Sequence, residues 1–380
     1  MKTSIIHAFF AIILVAAIGC KKDLTQSLTE SAELQSQMLP ADVQAEIDQA
    51  ILEIENDYNN PPSDGVVGNR AVVYVPAGSV DALQDAIDEA GWGGKVIVES
   101  GEHWESETVV IDHTVRIIGQ DGAKVYFNTS DKGFVLFNYY EMDPAIYIKN
   151  ANFVWVQGLE IVPKKSAGSV GIYLERAQYA RIKDNTIMNH YFGIVINENS
   201  NNSGVYDNTL INDFGVFESG MGLVNIDGRS TKIKGNYFSG FRFGVFASDS
   251  RGVLMNNEFD DNPDTGVILC TFQGDIKLPN GKALEKANSC SKWKLVNNDS
   301  HDNAGFNYFL IDGANHNFLV NNKASNAGLQ DVFLAPPLII NGAPALPASN
   351  NFVVNPSNSI VYRDCGEDNT VLGGTEIPCQ

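Results

Sequence analysis

The chain has 380 residues, with 46 acidic against 26 basic side chains and a formal net charge of −20. With no dominant basic stripe, that balance argues against nucleic acid as a partner, because its phosphates would meet net repulsion. An acidic glycan stays compatible with it, since a local basic patch matters more than the total charge.

The chain opens on an export signal. Lys2 precedes an apolar run from Ile5 to Ile18, which ends in Ala16-Ala17-Ile18-Gly19-Cys20. At about 14 residues the run is short for a membrane span and has the flanks of a signal peptide. A buried N-terminal helix is the alternative. The small residues before Cys20 resemble a bacterial lipobox, and Cys20-Lys-Lys-Asp resembles lipoproteins of the Bacteroidetes. This resemblance implies a lipoprotein signal peptide over residues 1–19 and an acylated Cys20. It also implies a lipid anchor in the bacterial outer membrane, on its periplasmic or its outer side. Membrane contact is expected through that anchor only, and the chain is expected to be a monomer.

Residues 20–70 read as a tether. Val43, Ile47, Ile51 and Ile54 give helical spacing between Ala41 and Tyr58, and Asn59-Asn-Pro-Pro-Ser-Asp-Gly65 then breaks the chain. Such a helix either packs on the domain that follows or spaces it from the membrane.

The domain over residues 71–380 begins at Val72-Val-Tyr-Val. Asp81 to Ala90 is a short amphipathic helix, with Ala82, Leu83, Ala86 and Ile87 on one side and Gly91 at its end. Early strands follow at Val109-Val-Ile and Val115-Arg-Ile-Ile118. From Phe153 onward one phrase recurs. Its clearest copy is Gly171-Ile-Tyr-Leu followed by Ile182-Lys-Asp-Asn-Thr-Ile187. The leading glycines (Gly171, Gly193, Gly215, Gly244, Gly266, Gly305) are 22, 22, 29, 22 and 39 residues apart. The asparagines (Asn185, Asn208, Asn236, Asn257, Asn298, Asn322) are 23, 28, 21, 41 and 24 apart. A period near 22 with insertions marks a solenoid. Its apolar runs are short and alternate in and out, which is strand period. Stacking such coils at ~4.8 Å would set each asparagine amide against the next and satisfy groups that are costly to bury alone. Pro336, Pro337, Pro344 and Pro347 end the rhythm, and the tail caps the last coil.

These repeats resemble the right-handed parallel β-helix, pectate-lyase-like superfamily, from about Val72 to Val371. The expected fold is therefore all-β, a right-handed parallel β-helix solenoid with an N-terminal capping helix over its open apolar end. The repeats specify the fold and leave the function to the site.

Cys20 apart, four cysteines remain, and an exported chain can keep them oxidised. Proximity favours Cys270–Cys290, closing the insertion from Thr271 to Ser289, and Cys365–Cys379 in the tail. No Cys-x-x-Cys or His pair suggests a metal site among them.

Candidates for chemistry follow from register. Lyases on this fold use a base and often Ca²⁺, and hydrolases use carboxylate clusters. The complete motifs of those families are absent. Four residues beyond each ladder asparagine lies a second polar column, which sets His190 beside Asp213 and Asp260 beside His301. Either pair would serve as an acid/base dyad, and turn capping is the plain alternative. Asp260, Asp261, Asp264 and Asp302 would hold Ca²⁺ if a metal is used; no cofactor is otherwise implied. On the glycine-led sheet an outward row of Tyr173, Val195, Phe217, Phe246 and Ile268 forms a sugar-stacking platform or lies beneath an insertion. If open, its rim carries His190, Asp213, Glu218 and Arg242 as catalytic candidates, with Tyr173, Phe217 and Phe246 as the binding floor. Arg181, Lys183, Lys232, Lys234 and Lys294 form a basic row elsewhere, open to an acidic glycan or simply solvated. The functional expectation is a cell-envelope protein acting on polysaccharide, as a lyase or epimerase. A non-catalytic glycan-binding, adhesion or structural lipoprotein is the alternative.

Overall fold

The computed structural model describes residues 39–62, 70–128, 143–164, 169–213, 220–248, 251–270, 290–337, 346–355 and 360–379, with the backbone of two short hairpins at 135–141 and 339–344. Cys20, Phe217, Glu218 and the insertion from Thr271 to Ser289 lie outside the described residues. Two compact units divide at Glu46. The first is described only from Leu39 to Glu46 and starts a helix, α1 (Ala41–Asn59), whose remainder belongs to the second. Among the described residues no helix is long and apolar enough to cross a membrane.

The second unit is a parallel β-helix. Successive coils lay one short strand into each of three parallel sheets: A with 12 strands, B with 9 and C with 11 among the described residues. The inward side chains of all three, such as Ile182, Ile187 and Ile172 in one coil, merge into one continuous core. Helix α2 (Leu83–Ala90) closes its first end with Leu83, Ala86, Ile87 and Ala90 buried. Its free N-terminal amides are met by Glu105, whose Oε1 accepts from Leu83 N at 3.0 Å and from Ala82 N at 3.2 Å.

The asparagine column stands at the turn from sheet A to sheet B. Asn185 Nδ2 donates to Asn208 Oδ1 at 3.0 Å, and the same bond repeats through Asn236, Asn257 and Asn298 to Asn322. Each ladder residue follows one in the left-handed region, such as Asp184, Asp207 or Asn256 with φ of 52–54°. Short polar side chains tolerate that conformation best, which is why Asp-Asn and Asn-Asn recur in the sequence.

The glycine column has a different cause. A Cβ on Gly171 would sit 2.5 Å from the Gly193 carbonyl oxygen and 2.7 Å from Ile187. One on Gly193 would meet the Gly222 carbonyl at 2.5 Å and Leu210 at 2.6 Å. Two expected members of that column are corrected. Gly222, in the strand Met221–Asn225, replaces Gly215, and Asn307 replaces Gly305, because pairing sets Phe192 beside Met221 and Thr265 beside Phe306.

Helix α1 settles the fate of the basic row. From Ile47 onward it lies against sheet A, with Ile47, Ala50 and Ile54 buried. Asp57 accepts from Arg181 at 2.5 Å, from the Tyr206 hydroxyl at 2.5 Å and from Lys232 at 3.2 Å. Glu55 pairs with Lys234 at 2.7 Å. The Tyr58 ring lies 4.1 Å from the Lys183 ammonium and 4.2 Å from that of Lys234. The helix thus packs on the solenoid and engages four of the five cations that an acidic glycan would have needed, while Lys294 lies over the Phe318 ring.

One disulfide, Cys365–Cys379, ties the tail. The expected Cys270–Cys290 bond is absent, and both side chains are buried. Cys290 belongs to the interior core, with Sγ 3.2 Å from the Ala247 carbonyl, whereas Cys270 packs on the outer face of sheet C. The two point to opposite sides of the wall.

Candidate functional site

Sheet C does not offer the open platform. Tyr173, Val195, Val224, Phe246 and Ile268 are in register, so Val224 holds the place assigned to Phe217. Tyr173 is 2% exposed and Phe246 7%, both within a second apolar cluster. The Tyr173 hydroxyl accepts from Asn197 at 2.9 Å. No sugar can stack on this stretch of the row; beyond it, in the same register, Phe309 and Phe333 are half-buried and stacked at 5.3 Å.

The catalytic candidates also separate. His190 is fully buried, with Nδ1 2.8 Å from Ser169 Oγ. Burial pushes its pKa down to about 3, against a smaller opposing effect of the Ile161 carbonyl. Asp213 is exposed and makes no ion pair with it among the described contacts; its backbone N–H donates to Asn189 Oδ1 at 3.0 Å. Arg242 is exposed and holds Asp264 at 3.4 Å. The reason lies in one backbone turn. Asn189, Asp261 and Asp302 each adopt positive φ where sheet B ends. The residue after that turn points inward, as His190, Asn262 and Asn303 do, and the residue before it points out, as Asp260 and His301 do. In two adjacent coils the inward amides even form another ladder, Asn262 Nδ2 to Asn303 Oδ1 at 2.9 Å.

Sheet B carries the exposed chemistry. Its strands are three to five residues long and alternate outward and inward, as in Tyr237–Ser239 and Asp299–His301. One outward column begins with Trp104 and Tyr126, stacked at 6.1 Å with 13° between planes. It continues through Val162, Met188 and Ile211, all half-buried, to Ser239, Asp260 and His301. Across the last two coils the side chains converge. His301 Nδ1 is 2.8 Å from Asp302 Oδ2 and 3.2 Å from Asp260 Oδ1, and its Nε2 is 3.5 Å from Glu258. Tyr237 donates to Asp260 Oδ2 at 2.9 Å, and Asn326 to Asp302 Oδ1 at 3.0 Å. Burial alone would lower the His301 pKa, but the bond to Asp302 and the charges of Asp260, Asp299 and Glu258 outweigh it and raise it. The Asp302 carboxyl is held below its usual range by the bonds from His301 and Asn326.

Of the four carboxylates expected to bind Ca²⁺, only Asp260 and Asp302 come together, with His301, their donor atoms lying within 4.8 Å of one another. Asp261 is an exposed turn residue and Asp264 belongs to Arg242. An imidazole with two carboxylates suits a borderline divalent metal better than Ca²⁺, which prefers an all-oxygen shell. Next to this cluster a cavity of about 290 Å³ opens at the turn from sheet B to sheet C, lined by Ser325, Asn326, Leu329, Gln330 and Asp331. Ser325 pairs in register with His301.

The Asp260–His301 pairing was legible from the ladder spacing. Tyr237, Glu258 and the Trp104–Tyr126 end were not singled out, although Gly101-Glu-His-Trp-Glu and Ala123-Lys-Val-Tyr-Phe alternate as strands do. Only pairing with the later coils places them in one column.

Comparison with known proteins agrees with the architecture. The family described as right handed beta helix region matches residues 170–373, more than half of the chain. No curated protein matches the sequence. Among solved structures, the tailspike protein of E. coli bacteriophage HK620, in complex with a pentasaccharide, is similar with a TM-score of 0.53 at 12% identity; the match covers 79% of this chain and 59% of that one. A protein of Geobacillus virus E2, ORF18, gives 0.49 at 12% identity, covering 81% and 60%. The A-module of the Azotobacter vinelandii mannuronan C-5 epimerase AlgE4 gives 0.41 at 14% identity, covering 79% and 92%. The chain thus spans about 60% of the length of the first two. At these identities the likeness is one of fold. With that family covering most of its coils, the chain belongs to the right-handed β-helix family.

Proposed function

We propose that this is a lipid-anchored cell-envelope protein that binds a polysaccharide along the outer face of sheet B. The observation that carries the reading is the half-buried column from Trp104 and Tyr126 to the Asp260–His301–Asp302 cluster. Sugar rings present C–H faces that stack on aromatic and aliphatic side chains, and the polar cluster supplies partners for hydroxyls. Coils repeat every ~4.8 Å, so the five steps across the six coils from Tyr126 to Asp260 make a track of roughly 24 Å, long enough for several sugar units. Sheets A and C offer no track of comparable length: α1 engages four cations of one, and in the other the row is buried from Tyr173 to Ile268, with half-buried aromatics at Phe309 and Phe333.

The test is retardation of the soluble protein in gels containing neutral, uronate-containing or amino-sugar polysaccharides. Trp104→Ala and Tyr126→Ala should each weaken binding by over ~1 kcal/mol with little loss of stability, as for other half-exposed aromatic anchors. Unchanged binding in both variants would remove the sheet B face from consideration. The tyrosine–carboxylate–imidazole chain of Tyr237, Asp260 and His301 favours a second reading, in which bound glycan undergoes proton transfer as in a lyase or epimerase. In that case His301→Ala abolishes turnover, followed as unsaturated-product absorbance, and retains most of the gel retardation.

The anchor rests on the residues that precede Cys20. Mass spectrometry of the protein from its native membrane should find Cys20 acylated at the new N-terminus. An intact Met1 or an unmodified Cys20 would end that part of the proposal.

A further inference from the structure

We infer that the glycan held on sheet B carries free amino groups and is not a uronate polymer. The inference rests on the reading of sheet B as the glycan face, adds the charge of the ligand, and sets aside the lyase or epimerase reading, whose proton transfer needs a uronate carboxylate. Around His301 stand Glu258, Asp260, Asp299 and Asp302, and Asp331 lines the adjoining cavity. The nearby cations are already engaged: Lys323 lies 3.8 Å from Asp299, and Arg242 is held by Asp264. His301 itself is shared among three carboxylates. A uronate carboxylate laid on this end of the track would face more like charges than cations, with the exposed Lys323 already beside Asp299.

The rest of the molecule sharpens the point. Arg181, Lys183, Lys232 and Lys234, four of the five cations in the basic row, are engaged by α1 together with Asp207. Positive charge is thus drawn under a helix, and negative charge is left on the open face. The cavity suits one amino-bearing ring. Ser325, Asn326 and Gln330 offer oxygens to an ammonium group, and Asp331, buried behind them with its oxygens accepting from Asn307 Nδ2 and Val361 N, adds negative charge. Leu329, 59% exposed, supplies an apolar contact for the C–H face.

The experiment compares three probes of matched length on the full soluble chain: fully deacetylated chitosan oligosaccharide, its N-acetylated form, and oligogalacturonate. Binding is measured by titration calorimetry at mildly acidic pH, where the amines are protonated. The deacetylated probe should bind at least about fivefold tighter than the acetylated one, as expected for an ammonium beside one exposed carboxylate, Asp302, with the buried Asp331 behind it. High salt should erase the difference. Asp302→Asn and Asp331→Asn should each shrink it; Asp302 is on the surface, so its variant stays informative if loss of the Asp331 contact to Val361 N disturbs folding. Equal binding of the first two probes, or comparable binding of oligogalacturonate, overturns the inference and leaves the glycan reading standing. Tighter binding of the deacetylated probe that neither aspartate variant alters marks adhesion to the net charge of the chain, and it also overturns the inference. Binding of none of the three overturns both.

Discussion

Asn236→Ala should lower the stability of the solenoid by roughly 3 kcal/mol or more. Asn236 Oδ1 accepts from both the backbone N and the Nδ2 of Asn208, at 2.9 and 3.0 Å. Its own Nδ2 donates to the Val205 carbonyl at 2.9 Å and to Asn257 Oδ1 at 3.0 Å. Alanine leaves two buried donors on Asn208 without an acceptor and strips a donor from Val205, each orphan costing about 1–3 kcal/mol. The site is enclosed, so water does not easily take the place of the amide. Asn208→Ala should behave alike. Thr209→Ala, half-buried on the outer face one residue further on, should change stability by no more than about 0.5 kcal/mol. Chemical denaturation of the three variants decides the matter. An Asn236→Ala midpoint equal to that of the parent would mean that the ladder is not a buried, closed network.

The second large effect is an acid liability at His190. Fully buried beside Ser169 Oγ, the imidazole stays neutral in the folded chain down to about pH 3. In the unfolded chain it titrates near 6.5. Between those values the unfolded state binds a proton that the folded state refuses, so stability falls as pH falls. The slope vanishes above the unfolded value and reaches about 1.4 kcal/mol per pH unit between it and the folded one. Glu198 and Asp227, both raised by burial, act in the opposite sense, so the parent's profile alone is not diagnostic. The difference between parent and His190→Gln is. Glutamine can keep a bond to Ser169 and does not titrate. That difference should move in the variant's favour by roughly 2–3 kcal/mol from pH 6.5 to 4.5. A flat difference would place His190 in contact with solvent. The same residue was a catalytic candidate by sequence, and a group this hard to protonate cannot shuttle protons near neutral pH.

His190 and His301 show how far register alone reaches. Both lie a few residues beyond a ladder asparagine, and both sit beside a turn residue of positive φ. One follows that turn and faces the core; the other precedes it and faces out. Counting from Asn185 and Asn298 gives the two offsets, five and three, but not which of them is inside. The glycine column misleads in a similar way. Gly215-Val-Phe and Gly222-Leu-Val both satisfy the repeat, and only pairing with Phe192 and Phe243 selects the second. A slip of this kind moved a supposed aromatic from an unassigned stretch onto a row where Val224 stands.

By itself the sequence determined the coil of short strands, the asparagine ladder and the capping helix α2. Each of these follows from short-range rules: period-two alternation, turn residues that tolerate positive φ, and an amphipathic helix ended by glycine. The tertiary structure alone decided which outward face stays open. Alternation says that a side chain points away from the core, and it says nothing about what packs over it. Sheet A points Arg181 and Lys232 outward, yet Asp57 of α1 covers them. Sheet C points Tyr173 and Phe246 outward, and both are buried. Sheet B keeps Trp104, Tyr126, Asp260 and His301 within reach of solvent. Covering a face depends on contacts between residues more than a hundred positions apart, such as Asp57 with Arg181, and no local pattern encodes those.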